Sequence, residues 1–312
     1  MKLLYVLGRG RSGSTVFANV LGELDGFFSG GEIRAFWDPV VVRESTCGCG
    51  AAIRDCPIWS HVLDRLSDID LEKVSAWQRY IVREHQTYRL LRYRRTRRWR
   101  ALERYGEVMC RLYDALAEVT GARVIVDSSK RPSYAAFVRT VPGLNPYFIH
   151  LVREPRASAY SWLSRRYESS RVGQEVTRRG ALNATLRWDL LNLGSDAIIR
   201  RSEPNRALRI RYEDFVAQPR DHVELARILL DEPALRSPFV DDHTVRLGIN
   251  HAIAGNPSRF VTGVVQLEES REWRHAQTRI DRWVTTAVAL PFLRRYGYPI
   301  HVASPHIKTR IA

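Results

Sequence analysis

The sequence predicts a three-layer α/β/α fold, in which helices cover both faces of a central, mainly parallel sheet. Short apolar runs rich in Val, Ile and Leu recur along the chain, and helical patterns separate them. With 312 residues and 45% hydrophobic content, the chain can bury one sizeable core. We therefore expect a single domain over residues 1–312.

The predicted elements alternate from the amino terminus onward. Strands are expected at residues 3–7, just before Glu32, and at 123–126, 147–152 and 207–212. Helices are expected at residues 16–24 and 71–120, after Pro132, after Arg153 and around Trp188. Residues 33–120, loop-rich at first and helical later, are interpreted as an insertion that covers the site.

The net charge of the chain indicates which kind of partner it binds. A net charge of +15 and a pI near 10.1 favour an anionic partner. The most basic stretch, residues 89–105, carries no nucleic-acid recognition motif, so it is interpreted as a solvated helix face. We expect no nucleic-acid partner. Peripheral membrane contact stays open, and the sequence does not set the oligomeric state.

No apolar run approaches the roughly 20 residues that a membrane span needs, and the apolar start is too short for a signal peptide. The four cysteines are too few for a secreted disulfide framework, which favours a reducing, cytoplasmic location. Cys47, Cys49 and Cys56, with His61 nearby, leave open a zinc ion, a disulfide or simple packing. Trp59 beside them favours packing in a lid, and no metal is predicted.

A glycine-rich loop, GRGRSGST at residues 8–15, follows the first strand. Backbone N–H groups at such a strand-to-helix turn bind anions. The spacing is that of a P-loop, except that Ser14 replaces the lysine that reaches the terminal phosphates. Arg11 supplies a cation instead, and its guanidinium can bind two oxygens at once. We therefore predict a P-loop-type fold that binds a doubly charged ligand tail; the alternative is a tight turn without a ligand.

A second anion site is predicted in HLVREPRASAYS, residues 150–161. Arg153 ends a buried strand, and Ser161 follows eight residues later in the next helix. Because open parallel sheets bind ligands at the carboxyl ends of their strands, both can face the same crevice as the glycine loop. Taken alone, Arg153 would better suit a local salt bridge at the end of the strand.

RSGST at residues 11–15 and LVREPRASAYS at 151–161 together resemble the paired signature of the sulfotransferase family, as seen in its bacterial members. Residues 124–135, VIVDSSKRPSYA, the cysteine-rich stretch ending in CPIW at 56–59, and GNPSRF at 255–260 extend the resemblance. It implies in-line transfer of a sulfuryl group from 3′-phosphoadenosine 5′-phosphosulfate (PAPS) to a hydroxyl acceptor, leaving 3′-phosphoadenosine 5′-phosphate (PAP). No metal is required by this implied reaction.

The resemblance assigns the donor-binding residues to two ends of the nucleotide. The 5′-phosphosulfate would be bound by Arg11, Ser12, Gly13, Ser14 and Thr15. The 3′-phosphate would be bound by Arg153 and Ser161, with Asn256 and Arg259 added from the segment near the carboxyl terminus. The chain lacks the RKGxxG motif of the cytosolic members. The assignment of Asn256 and Arg259 therefore depends only on their position near the carboxyl terminus.

Sulfuryl transfer needs a base for the acceptor hydroxyl and cations for the departing phosphate. Glu32, in GGEIR, resembles the glutamate of the tyrosyl-protein sulfotransferases and is the predicted base; the alternative is a surface carboxylate paired with Arg34. Arg11 and Lys130 are the predicted catalytic cations.

Lys130 is one of only four lysines in the chain and follows Asp127-Ser128-Ser129. The competing interpretation of this stretch is a structural helix cap made by Ser128 or Ser129.

The acceptor is a lipid, a carbohydrate or a small natural product, and the sequence does not choose among them. Candidates for its site are residues 33–110, residues 165–179 and the aromatic residues Phe36, Trp37, Trp59 and Trp77.

Two other functions remain open from the residues. A P-loop phosphotransferase or kinase would need an acidic magnesium ligand, for which Asp127 is the candidate. A basic nucleic-acid or membrane binder would use residues 92–100.

Overall fold

The computed structural model describes residues 1–93, 98–163, 180–233 and 237–301. Its central sheet has five parallel strands in the order β2-β3-β1-β4-β5. These strands are β1 (Lys2–Gly8), β2 (Phe27–Gly31), β3 (Val124–Lys130), β4 (Pro146–Val152) and β5 (Ala207–Arg211). A separate antiparallel pair comprises β6 (Thr244–Leu247) and β7 (Gly263–Gln266). The predicted α/β class is confirmed.

The α-helices are α1 (Ser14–Gly22), α2 (Pro39–Glu44), α3 (Trp59–Arg65), α4 (Leu71–Ile81), α5 (Thr87–Leu91), α6 (Arg100–Thr120), α7 (Pro132–Val138), α8 (Pro155–Leu163), α9 (Ala181–Ile199), α10 (Tyr212–Ala217), α11 (Pro219–Leu229), α12 (Trp273–Ala276), α13 (Arg279–Val288) and α14 (Leu290–Tyr296). Short 3-10 helices span Ile33–Trp37, Ile53–Asp55, Glu84–Gln86, Pro204–Arg206 and Pro257–Phe260. In the described residues, no helix combines the length and apolar character that crossing a membrane requires.

The middle strand, β1, separates the two layers of the core. Its residues alternate between faces, as strand geometry requires. Leu4 and Val6 pack with Phe17 of α1, whereas Leu3 and Tyr5 join the larger cluster on the opposite face. All of these side chains are fully buried. The near-continuous apolar run therefore reflects a strand that is covered on both sides.

β3 continues through Asp127 to Lys130, although the sequence predicted that it would end at Asp127. The buried Asp127 carboxylate accepts hydrogen bonds from the backbone N–H of Ser129 at 2.8 Å and from the Tyr113 hydroxyl at 2.7 Å. Because its charge is satisfied inside the protein, the polar residues remain in the buried strand.

Burial raises the pKa of Asp127 from 3.8 to about 6, against the opposing effect of its hydrogen bonds to Ser129 and Tyr113. The folded protein therefore holds this proton more tightly than the unfolded chain, and stability is lost as pH rises through this window. Relative to wild type, an Asp127→Asn variant should gain about 2 kcal/mol of unfolding free energy between pH 4 and pH 6, and about 3 kcal/mol in all once the pH lies well above 6. Denaturant unfolding of both proteins at several pH values measures this difference, and a pH-independent difference would contradict it.

The prediction of one helical stretch over residues 71–120 is wrong in detail. The described part is divided into α4, α5 and α6, and residues 92, 93, 98 and 99 are not helical. Like-charged arginines at i,i+4 spacing destabilise a continuous helix there. Residues 94–97, in the middle of the basic stretch, lie outside the described residues.

The aromatic residues near the start of the insertion belong to the core. Phe36, Trp37 and Trp59 are fully buried, and the ring of Phe36 lies 4.9 Å from that of Trp37 and 5.4 Å from that of Trp59. Their predicted place in the acceptor site is therefore wrong, because aromatic rings of this size stabilise the insertion by packing against one another. Trp77 packs partly buried against the same core and does not line the cavity described below.

Candidate functional site

A cavity of ≈ 770 Å³ lies at the carboxyl ends of the central strands, within the size range of small-molecule sites. Each nearby strand leads into it: β1 into the glycine loop, β2 into Glu32, β3 into Lys130 and β4 into Arg153. The predicted site residues that line it are Arg11, Gly13, Ser14, Thr15, Glu32, Lys130, Arg153, Ser161, Asn256 and Arg259. Ser12 is buried in the same loop. Residues far apart in sequence thus meet in one site, while their roles stay predictions.

The glycine loop turns sharply into α1. Arg11 and Gly13 adopt left-handed backbone conformations, with φ of 75° and 82°. Ser14 and Thr15 open the helix, where the first N–H groups have no intrahelical partner and attract anions. The buried Ser12 Oγ has no hydrogen-bond partner among the described residues. This loop therefore offers both backbone and hydroxyl donors to an anion.

Gly13 is needed at this turn for two reasons. It has a positive φ, and a methyl group added to it would lie 2.1 Å from the Tyr212 ring. Gly13→Ala is therefore expected to lower the unfolding free energy by about 3 kcal/mol, combining backbone strain with overpacking. Gly121 is the matched control, because it has φ of +66° and no neighbour within 4 Å of an added methyl group. Gly121→Ala should lose about 1 kcal/mol; equal losses in urea unfolding would contradict the packing argument.

Arg153 is held across the glycine loop. Its Nη1 donates to the Arg11 carbonyl at 3.0 Å, and its guanidinium lies 4.9 Å from the centre of the Tyr212 ring. The Trp188 indole N–H donates to the Arg153 carbonyl at 3.1 Å. Arg153 forms no salt bridge with any described residue, so the local ion pair left open by the sequence is not what positions it. Its backbone is fixed while its side chain faces the cavity.

Two aromatic residues of the site were missed by the sequence analysis. Tyr212 was assigned to the end of a strand but begins α10 against Gly13, and Trp162 lies at the end of α8. The Trp162 indole N–H donates to the Gly10 carbonyl at 3.2 Å, and the Arg11 guanidinium lies 5.4 Å from the Trp162 ring. No local pattern marks either residue, because their contacts come from distant elements.

Glu32 pairs with Lys130, not with Arg34 as the alternative proposed. Lys130 Nζ lies 2.7 Å from Glu32 Oε1. Burial raises the pKa of Glu32, but the charge and hydrogen bond of Lys130, together with the charges of Arg34 and Arg131, lower it by more, so the pKa lies below its usual value. Glu32 is therefore a carboxylate at neutral pH, which can accept a proton from a hydroxyl group.

The alternative prediction, in which Ser128 or Ser129 caps the helix α7, is wrong. That helix has Arg131 at its N-cap position and no side-chain hydrogen bond there. Ser129 Oγ instead donates to Asp127 and accepts the backbone N–H of Arg34 at 3.1 Å. Ser129 thus joins β3 to the segment after Glu32, and Lys130 faces the cavity with φ of 70°.

The segment near the carboxyl terminus forms one wall of the cavity. Asn256 Oδ1 accepts the backbone N–H of Ser258 at 3.0 Å and so caps the short helix that follows. The buried Arg259 donates to the carbonyls of Gly255 at 3.0 Å and Thr46 at 3.3 Å. These bonds give Arg259 a structural function, and its contact with a phosphate stays a prediction.

Asp127, the candidate magnesium ligand of a phosphotransferase, does not line the cavity. Its oxygens accept hydrogen bonds from Ser129 and Tyr113 inside the core. The structure thus places this carboxylate outside the cavity, which disfavours the phosphotransferase.

Comparison with known proteins agrees with these features. The model of the sulfotransferase family matches residues 4–229. The sulfotransferase domain of the curacin biosynthetic pathway has 17% identity and a TM-score of 0.53, and the match covers 96% of this chain and 98% of that one. The sulfotransferase domain of the Synechococcus PCC 7002 olefin synthase has 16% identity and the same TM-score of 0.53, with 94% of each chain covered. At these identities the likeness concerns the fold. No individually curated protein sequence matches the chain.

The family match covers well over half of the chain and includes both motifs that were predicted to bind anions. The chain belongs to the sulfotransferase family.

Proposed function

We propose that the protein transfers a sulfuryl group from PAPS to the hydroxyl group of a lipid, a carbohydrate or a small natural product. The observation that carries this proposal is the convergence of two anion-binding elements and one acid–base pair on a single cavity. The glycine loop provides the first element, Arg153 with Ser161 the second, and Glu32 with Lys130 the pair.

The two anion-binding elements suit the two charged ends of PAPS. Arg11 and the first N–H groups of α1 would bind the 5′-phosphosulfate. Arg153, which is directed across the loop by its hydrogen bond to the Arg11 carbonyl, would bind the 3′-phosphate together with Ser161. A nucleotide without the 3′-phosphate would give Arg153 no phosphate to bind.

The pair Glu32 and Lys130 suits the transfer step. As the acceptor oxygen bonds to sulfur and the bond from sulfur to the bridging oxygen breaks, Glu32 takes the hydroxyl proton. Lys130, 2.7 Å from Glu32, and Arg11 offset the negative charge that the leaving phosphate gains. No metal is required in this proposal, because these side chains supply the cations.

The acceptor would approach Glu32 from the side of the predicted insertion. Ala35, Val41 and Ser45 of that insertion line the cavity, and Ile253 and Ala254 line it from the carboxyl-terminal segment. This mostly apolar lining suits an acceptor with an apolar portion next to its hydroxyl group. Residues 165–179, the other predicted acceptor segment, lie outside the described residues.

Incubation with PAPS and a panel of fatty alcohols, sugars and phenols, followed by mass spectrometry, tests the proposal. We expect a sulfated product and an equal amount of PAP, without added metal. Transfer of phosphate from ATP in the presence of magnesium, with no turnover of PAPS on any acceptor, would contradict the proposal and favour the phosphotransferase.

A further inference from the structure

A cluster of three cysteines and one histidine lies outside the cavity. The Sγ atoms of Cys47, Cys49 and Cys56 and one ring nitrogen of His251 all lie within 4.8 Å of one another. His251 Nδ1 is 3.2 Å from Cys56 Sγ and 3.9 Å from Cys47 Sγ. In a tetrahedral zinc site with ordinary bond lengths, ligand atoms are separated by about 3.5–3.8 Å. The cluster therefore has nearly the ligand spacing of a bound ion.

The histidine of the cluster is not the one that the sequence indicated. His61 lies in α3, where its Nδ1 is 2.6 Å from the Pro57 carbonyl, and it is not a member of the cluster. His251 comes from a segment roughly two hundred residues after the cysteines. An ion bound here would link the insertion to the wall that leads to Gly255 and Arg259.

The four side chains lie in a largely closed part of the protein. Cys47 and Cys56 are fully buried, and Cys49 and His251 are partly buried. The cluster is therefore largely shielded from water, as is typical of structural metal sites.

The cysteine-bearing segment and the segment that carries His251 also contact each other directly. The N–H of Gly48 donates to the Ala252 carbonyl at 3.0 Å, and a methyl group added to Gly48 would lie 2.2 Å from Asn250 Oδ1. The Trp59 indole N–H donates to the His251 carbonyl at 2.7 Å. Glycine at position 48 thus permits the close approach, and Trp59 fixes the backbone of the histidine.

We propose that Cys47, Cys49, Cys56 and His251 bind one structural zinc ion. Soft thiolates with one imidazole favour zinc, and four protein ligands leave no open position for substrate. None of the four residues lines the cavity, which matches a structural and not a catalytic ion. A disulfide would use two thiols and leave the third beside it, so it accounts for only part of the cluster.

The protein, purified without a polyhistidine tag and without chelators, should contain about one zinc ion per chain by elemental analysis. Cys56→Ser and His251→Ala should lose most of this zinc. The matched controls Cys110→Ser and His61→Ala, which alter a cysteine and a histidine outside the cluster, should keep it. Protein refilled with cobalt should show the absorption bands of a tetrahedral thiolate complex.

A measurement on the wild-type protein tests for bound zinc even if the variants fold poorly. Removal of zinc by a chelator should lower the melting temperature of wild type by about 10 °C, and added zinc should restore it. Wild type with far less than one zinc per chain would overturn the proposal. So would equal zinc in cluster and control variants, a disulfide between two of the three cysteines, or the visible colour of an iron–sulfur cluster.

Discussion

Glu32→Gln is expected to lower the rate of sulfuryl transfer by about 10³-fold. The amide keeps the size of the side chain and can still accept a hydrogen bond from Lys130, but it cannot take a proton from the acceptor. The lowered pKa of Glu32, set by Lys130 against the effect of burial, keeps the wild-type carboxylate ionised into mildly acidic solution. The rate is measured with PAPS and the best acceptor of the panel described above.

The matched control is Glu84→Gln, which removes an exposed carboxylate paired with Arg131 at 2.6 Å. This variant should transfer at the wild-type rate, and both variants should bind PAP nearly as well as wild type. If Glu32→Gln retained most of the activity, Glu32 would be only the partner of Lys130, and another group would be the base.

Arg153→Ala is expected to weaken PAP binding by about 100-fold, because the 3′-phosphate would lose a charge-assisted hydrogen bond in a half-buried site. Adenosine 5′-phosphate, which has no 3′-phosphate, should bind to the variant and to wild type almost equally. Calorimetric titration of both ligands measures this difference.

Comparing PAP with adenosine 5′-phosphate distinguishes two functions of Arg153: binding the 3′-phosphate and stabilising the glycine loop. Arg153 also donates to the Arg11 carbonyl, so a purely structural loss would weaken both ligands by the same factor. That outcome would contradict its assignment to the 3′-phosphate. Arg220→Ala, which removes an exposed arginine paired with Asp242 at 3.3 Å, is the control for a simple change in net charge.

Much of the site could be predicted because its residues follow directly after strands. The glycine loop, Glu32 and Arg153 come just after β1, β2 and β4, and the carboxyl ends of parallel strands meet at one edge of a sheet. The apolar runs located these strands to within a few residues. Sequence patterns of this local kind therefore identified several parts of one site, although most of the other residues that line the cavity were not predicted.

The parts that were missed depend on contacts between distant segments. Tyr212 and Trp162 contact the glycine loop from helices on other parts of the chain, and His251 reaches the cysteines from near the carboxyl terminus. The aromatic residues Phe36 and Trp59 show the same limit, because an irregular stretch does not reveal which of its faces is buried. Local periodicity carries no information on such packing.

The buried polar network around Asp127 explains why the sequence placed the end of β3 too early. An aspartate after an apolar run usually indicates the end of a strand, yet Tyr113 and Ser129 satisfy its charge within the core. Since Tyr113 comes from α6, its contribution could not be seen in the residues next to Asp127.

The most direct test of the proposed donor site is calorimetric titration of the wild-type protein with PAP, with adenosine 5′-phosphate and with ATP plus magnesium. Without added metal, PAP should bind at least about 100-fold more tightly than adenosine 5′-phosphate, because only PAP carries the second phosphate that we propose Arg153 and Ser161 bind. Equal affinity for the two, or binding of ATP that requires magnesium while PAP fails to bind, would contradict the account.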